Sequence, residues 1–172
     1  MIEFIGAFLL WTLLAYALHR AAHHPLFSKT LWPIHAEHHA LDHMERPKFP
    51  APTEFFFWFG TWRRSADVWI TQTIPAIIAV AVFGGYAWLI LPLHYVYEVF
   101  LADGMLDHNP AIKGRITQWM TIGSMHLRHH TNYKTNYGFY ITLWDRLFGS
   151  YRGDEPARER VRPSISPQSV PS

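Results

Sequence analysis

Three groups of histidine carry most of the chemistry written into this chain: His19-x3-His23 with His24 beside it, His35-Ala36-Glu37-His38-His39, and His126-Leu127-Arg128-His129-His130. The second and third share the pattern H-x2-H-H. On a helix, residues at i, i+3 and i+4 lie on one side, so each group can direct two or three imidazoles at a single point. A neutral imidazole offers one lone pair to iron, copper, nickel or zinc and donates its other N–H to a neighbouring acceptor. A lone histidine is more often an ordinary surface or core residue, but two copies of H-x2-H-H together with an H-x3-H are hard to obtain by chance. Eight such groups, His19, His23, His35, His38, His39, His126, His129 and His130, with little carboxylate nearby, point to two metal ions rather than one. The chain has no cysteine, which excludes thiolate metal sites and a protein-bound iron–sulfur cluster.

The elements that must position these groups are apolar. Hydrophobic residues make up 49% of the chain and aromatics 16%, with eight Trp, while charged residues are only 16%, below the roughly 25% of soluble domains. Residues Ile2 to Leu18 form an apolar run broken only by Glu3, with no basic stretch before it, so a membrane helix is expected rather than a cleaved signal. It ends on His19-Arg20. The block from Val68 to Ala102, roughly 35 residues, is long enough for two crossings of a ~30 Å hydrocarbon core. Gly84-Gly85 is its natural turn, and Pro75 and Pro92 are expected to kink it. Phe55 to Phe59, after the Pro-rich lead-in Pro47 to Pro52, is too short to span and reads as interfacial, with Trp58 and Trp62 at headgroup depth and Arg63-Arg64 reaching phosphates.

The expected fold is therefore all-α: an integral-membrane helical bundle of about three spanning helices plus an interfacial helix, carrying a histidine-rich cap that holds a dimetal site. Residues 1–152 form one domain, and the Pro-, Ser- and Arg-rich residues 153–172 read as a disordered tail. A chain of this length is expected to draw its electrons from another protein. All fifteen Lys and Arg fall between Arg20 and Arg64 or between Lys113 and Arg162, so by the positive-inside rule the histidine groups face the cytoplasm. The basic C-terminal half suits a membrane surface, and no motif supports nucleic acid.

Around these clusters the chain resembles the fatty acid hydroxylase and sterol desaturase superfamily of membrane histidine-box di-iron enzymes, which includes small carotenoid hydroxylases. The resemblance runs from roughly Trp11 to Tyr151. It rests on the three histidine groups, on His19-Arg20-x2-His23, Leu31-Trp32-x2-His35 and Asp107-His108-Asn109-Pro110, and on Asn136-Tyr137-Gly138 and Trp144-Asp145-Arg146-Leu147-Phe148-Gly149. It implies two iron ions, O2 as co-substrate, and hydroxylation or desaturation of an unactivated C–H bond in a lipid-like substrate. It also implies His108 as a ninth ligand, and an electron donor of ferredoxin or cytochrome b5 type with its reductase. The alternative is a histidine-rich membrane protein that binds metal without catalysis.

One departure concerns the stretch Ala102 to Asp107, where such enzymes often carry a further histidine. Asp103 and Asp107, spaced i,i+4, are the carboxylates that would fill the gap or bond an imidazole, the plain alternative being a helix-end role. Asp145 is expected to accept an imidazole N–H or to pair with Arg146 or Arg128. His94 and Glu98, ionisable and one helical turn apart inside an apolar block, read as a structural pair, a proton path or a substrate contact. His24 and His43 read as bystanders.

Overall fold

The computed structural model describes residues 1–40 and 49–153, and every regular element among them is helical. His43, Lys48 and the tail from Asp154 lie outside the described residues. In chain order the main helices are α1, Ile2–Ala22; α2, Trp32–Ala40; α3, Trp62–Phe83; α4, Ile90–Val96; α5, Ser124–Thr131; and α6, Leu143–Leu147. Short 3-10 turns at Pro25–Phe27, Glu54–Phe56 and Ile116–Gln118 punctuate the connections.

Two helices are long and apolar enough to cross a membrane, α1 and α3. They pack through small residues. Ala7, Trp11 and Ala15 of α1 share a fully buried cluster with Ala76 and Ala79 of α3 and with Ala87 and Ile90. Alanine spacing of this kind lets helix backbones approach closely where no water drives association. Gly6 goes further, since a Cβ there would stand 2.3 Å from Phe83 Cε1, so its hydrogen is the seat of the Phe83 ring. The chain turns back at Gly84, whose φ of 60° and ψ of −154° only glycine adopts at low cost.

α3 contains a π-turn over Trp69–Thr73, directly before Pro75. Proline supplies no N–H to the helix, and the loosened turn turns a carbonyl outward. Trp11 Nε1 donates to it, at 2.9 Å from Gln72 O.

Two expectations shift. Trp62, Arg63 and Arg64 form the first turn of α3 rather than part of the interfacial segment, because Thr61 caps the helix and its Oγ1 accepts from Arg64 N. The interfacial segment shrinks to the single turn Glu54–Phe56, with Phe56 and Trp58 exposed. The third expected crossing is divided into a 3-10 turn at Gly85–Leu89, α4, and a π-turn at Tyr97–Leu101.

Candidate metal centre

The three histidine groups sit on α1, α2 and α5, and each of the latter two splits its imidazoles between two points. His19, His23, His35, His39 and His129 converge at one, and His38, His108, His126 and His130 at the other, with a nitrogen of each lying within 4.8 Å of those of the others in its group. α2 sends positions i and i+4 of its H-x2-H-H to the first point and i+3 to the second. α5 does the reverse. One pattern read twice thus builds two neighbouring sites, where the spacing alone predicts one point per helix. His108 joins the second group from the loop after α4.

The contacts inside each group are between Nε2 atoms. His39 and His35 stand 3.0 Å apart, His129 and His23 3.0 Å, His108 and His130 3.1 Å, and His130 lies 3.2 Å from both His38 and His126. The opposite nitrogens show why. His19 Nδ1 is 2.7 Å from Tyr137 O, and His129 Nδ1 is 2.7 Å from Thr135 O. A carbonyl can only accept, so in each neutral ring Nδ1 bears the hydrogen and Nε2 carries the lone pair. His35 Nδ1 meets both oxygens of Asp67, at 3.1 and 3.0 Å, and His108 Nδ1 lies 3.2 Å from Asp103 Oδ1. His19 Nε2 is buried and has no hydrogen-bond partner.

Burial, reinforced by neighbouring imidazoles, holds His38, His39 and His126 well below the usual histidine range. Burial likewise lowers His23 to about 2 and His129 to about 3. These rings are neutral at pH 7, with their lone pairs available. A buried cluster of lone pairs aimed at common points is unfavourable alone and is resolved by a cation, which makes the donor set fit two nitrogen-preferring metal ions.

The carboxylates divide by role. Asp103 bridges His108 to Arg64, whose Nη2 is 3.2 Å away, and adopts a positive φ of 55°. Asp107 accepts from the Tyr97 hydroxyl and is raised to about 7, chiefly by burial and further by Asp103. Asp145 contacts no imidazole among the described residues. It accepts from Tyr137 N at 2.7 Å, Gly138 N at 2.8 Å and Ser150 Oγ at 2.7 Å, and so fixes the loop whose Tyr137 carbonyl meets His19. His24 stays apart, its Nδ1 accepting from Leu26 N.

His94 and Glu98 meet through a residue the sequence did not flag. Tyr140 Oη lies 2.6 Å from Gln72 Oε1, 3.0 Å from Glu98 Oε1 and 3.2 Å from His94 Nδ1, and His94 Nε2 is 2.8 Å from Thr73 Oγ1. Asp67 was also missed. An acidic residue at the start of a long apolar helix was its available signal.

Two cavities lie on this side of the cage, one against the second histidine group and the other sharing a wall with it. A small chamber of about 50 Å³ touches His38, His108, His126, Asp67 and Asp107. A larger one of about 690 Å³ shares with it the wall formed by Phe59, Arg64, Glu98, Ala102 and Asp103.

Two helices long and apolar enough to cross a membrane, and two groups of histidines that could each hold a metal ion, define the class of protein to compare with. The family model for fatty acid hydroxylase matches residues 4–150, and the chain belongs to that family. It is 30% identical over 142 residues to the Delta(7)-sterol 5(6)-desaturase of Leptosphaeria maculans, covering 80% of this chain and 33% of that protein. It is 31% identical over 157 residues to a ceramide very long chain fatty acid hydroxylase of Schizosaccharomyces pombe, covering 86% and 41%. With lathosterol oxidase of Mus musculus it shares 29% over 149 residues, covering 86% and 44%. The chain thus spans a third to under half of the length of these relatives. No solved structure matches it.

Proposed function

We propose that the protein is an O2-dependent di-iron oxidoreductase that hydroxylates an unactivated C–H bond of a lipid-like substrate, of fatty acyl, sterol, sphingoid or carotenoid type. The observation that carries this reading is the convergence of nine imidazoles on two points, with Tyr137 O and Thr135 O dictating which nitrogen of His19 and His129 is free. His19, His23, His35, His39 and His129 would hold one iron, and His38, His108, His126 and His130 the other. Two bound iron ions would supply the O2 reduction and C–H cleavage that protein side chains cannot perform.

The chain's own residues do the rest. Asp67 orients His35 through both of its carboxylate oxygens, and Asp103 places a negative charge 3.2 Å from His108 Nδ1. Phe59, Phe100, Val99 and Met105 give the larger cavity apolar wall for a hydrocarbon segment. Glu98 and Asp107 both line the small chamber beside the second histidine group.

Relatives named as sterol desaturases and as a ceramide hydroxylase support a lipid substrate and leave both outcomes chemically open. Desaturation uses the same site and differs in whether the carbon radical gains oxygen or loses a second hydrogen. Electrons would come from a ferredoxin or cytochrome b5-type partner with its reductase, docking on the cytoplasmic face that carries the histidine cap. The competing reading is metal binding without catalysis.

Purified protein from iron-replete cells, supplied with a reductase system and lipid extracts under 18O2, tests these readings. Two irons per chain and a labelled product support hydroxylation. A product lighter by two hydrogens and without label means desaturation. Tight zinc with no iron and no O2 uptake would sink the oxidoreductase reading.

A further inference from the structure

We infer that α6 and the turn beside it form a second membrane-embedded face, in the same leaflet as the histidine-bearing end of α1, with Leu143, Leu147 and Trp119 meeting lipid. The argument begins with α1, whose 21 residues measure about 31 Å, barely the thickness of a hydrocarbon core. Nearly all of α1 must therefore be immersed. Thr12 and Tyr16 stand roughly 10 and 5 Å on the membrane side of His19 at 1.5 Å per residue.

α6 is tied to α1 at those levels. Trp144 Nε1 donates to Thr12 Oγ1 at 2.9 Å, and the Phe148 ring stacks on Tyr16 at 5.4 Å between centroids. An element fastened to Thr12 and Tyr16 shares their depth. Its outward side chains are apolar and bare: Leu143 is 44% exposed, Leu147 66%, and Trp119 70%. Ile116 and Phe148 extend the same patch.

Much of the backbone around α6 is satisfied within the chain. The amides of Thr142, Arg146, Phe148, Ser150 and Tyr151 all bond to backbone carbonyls, as immersion requires. Arg146, the exposed charge of α6, is partnered within the chain. Arg146 donates to Gln118 O at 2.7 Å, and its guanidinium lies 3.8 Å from the Tyr151 ring centroid and 5.3 Å from that of Trp119. A second copy of the chain or an electron-carrying protein would have to displace lipid to cover this patch, so the bilayer is the occupant that the depth of α6 selects.

The chain has no cysteine, so single-cysteine variants of the full protein can be spin-labelled cleanly in phosphatidylcholine vesicles. Leu143→Cys, Leu147→Cys and Trp119→Cys are compared with Ile78→Cys on the exposed side of α3 and with Lys134→Cys beyond α5. Collision with O2 reports lipid, and collision with a nickel chelate reports water. The O2-to-nickel ratio at Leu143 and Leu147 is expected to exceed that at Lys134 several-fold and to approach that at Ile78, with Leu143 the deeper of the two. Nickel-favoured collisions, as at Lys134, would overturn the inference. So would protection from both reagents, which would mark a protein partner. If one variant fails to fold, the other two positions carry the same test.

Discussion

His35 and Asp67, 32 positions apart in sequence, form a buried contact in which both carboxylate oxygens lie 3.0–3.1 Å from the imidazole Nδ1. α3 thereby controls the orientation of a ring that belongs to α2. The relationship ties a helix long and apolar enough to cross a membrane to the candidate metal centre.

Asp67→Asn keeps the size of the side chain and removes its charge, so the His35 ring keeps a partner but loses the charged acceptor that fixes it. Metal affinity of the first site should fall by roughly 10- to 100-fold, read as faster metal loss to a chelator. Asp67→Ala should lose more, because the Nδ1–H is then left buried without an acceptor. Unchanged chelation kinetics in both variants would show that Asp67 only packs.

The reversed use of H-x2-H-H by α2 and α5 predicts that neighbouring histidines fail separately. His39→Ala should empty the site shared with His19, His23, His35 and His129, and His38→Ala the site shared with His108, His126 and His130. Each variant should retain about one metal per chain by elemental analysis, lose turnover, and still insert into membranes. Loss of both metals in each would mean that the two groups bind as one indivisible unit, and retained turnover in either would refute that residue as a ligand.

Acid should destabilise the metal-free protein through the same rings. Burial holds His129 at about 3 against an ordinary 6.5, so between those values the unfolded chain binds a proton that the folded chain refuses. Stability from this residue is complete above pH 6.5 and falls as pH drops toward 3, by up to about 1.4 kcal/mol per pH unit. His38 and His126 shift in the same direction, which steepens the loss. Thermal unfolding in detergent between pH 7 and pH 5 reads it, and a flat profile would contradict neutral imidazoles.

Much of this was legible in the sequence, and the reasons for the remainder are local. Histidine spacing and apolar run length are short-range signals, and they reported the cage and the turn at Gly84. The apolar block begins at Val68 in the sequence because Trp62, Arg63 and Arg64 read as interfacial, while the capping hydroxyl of Thr61 starts α3 at Trp62. Asp67 and Tyr140 act across 32 and 42–68 positions, and no periodicity connects such pairs. Tyr140 also sits at a φ of 65°, a conformation that its residue type gives no reason to expect. Asp145, read in the sequence as a partner of an imidazole or of Arg146 or Arg128, bonds the amides of Tyr137 and Gly138, one link removed from His19.

That indirect link can be measured. Asp145 is fully buried, and besides the amides of Tyr137 and Gly138 it accepts from Ser150, which in turn contacts the Tyr16 hydroxyl at 2.9 Å. Asp145→Ala leaves two buried amides without an acceptor, a cost of about 1–3 kcal/mol each, and frees the Tyr137 carbonyl that fixes the His19 tautomer. The first site should therefore lose metal preferentially, while the second, which meets this loop through the His126–Phe139 ring contact rather than through the Tyr137 carbonyl, keeps more of its own. Asp145→Asn retains one acceptor oxygen and should recover part of the loss. Equal depletion of the two sites in Asp145→Ala would mean that the loop supports the cap as a whole rather than the His19 ring. Elemental analysis before and after mild chelation, alongside the melting temperature, separates a positional effect from general unfolding.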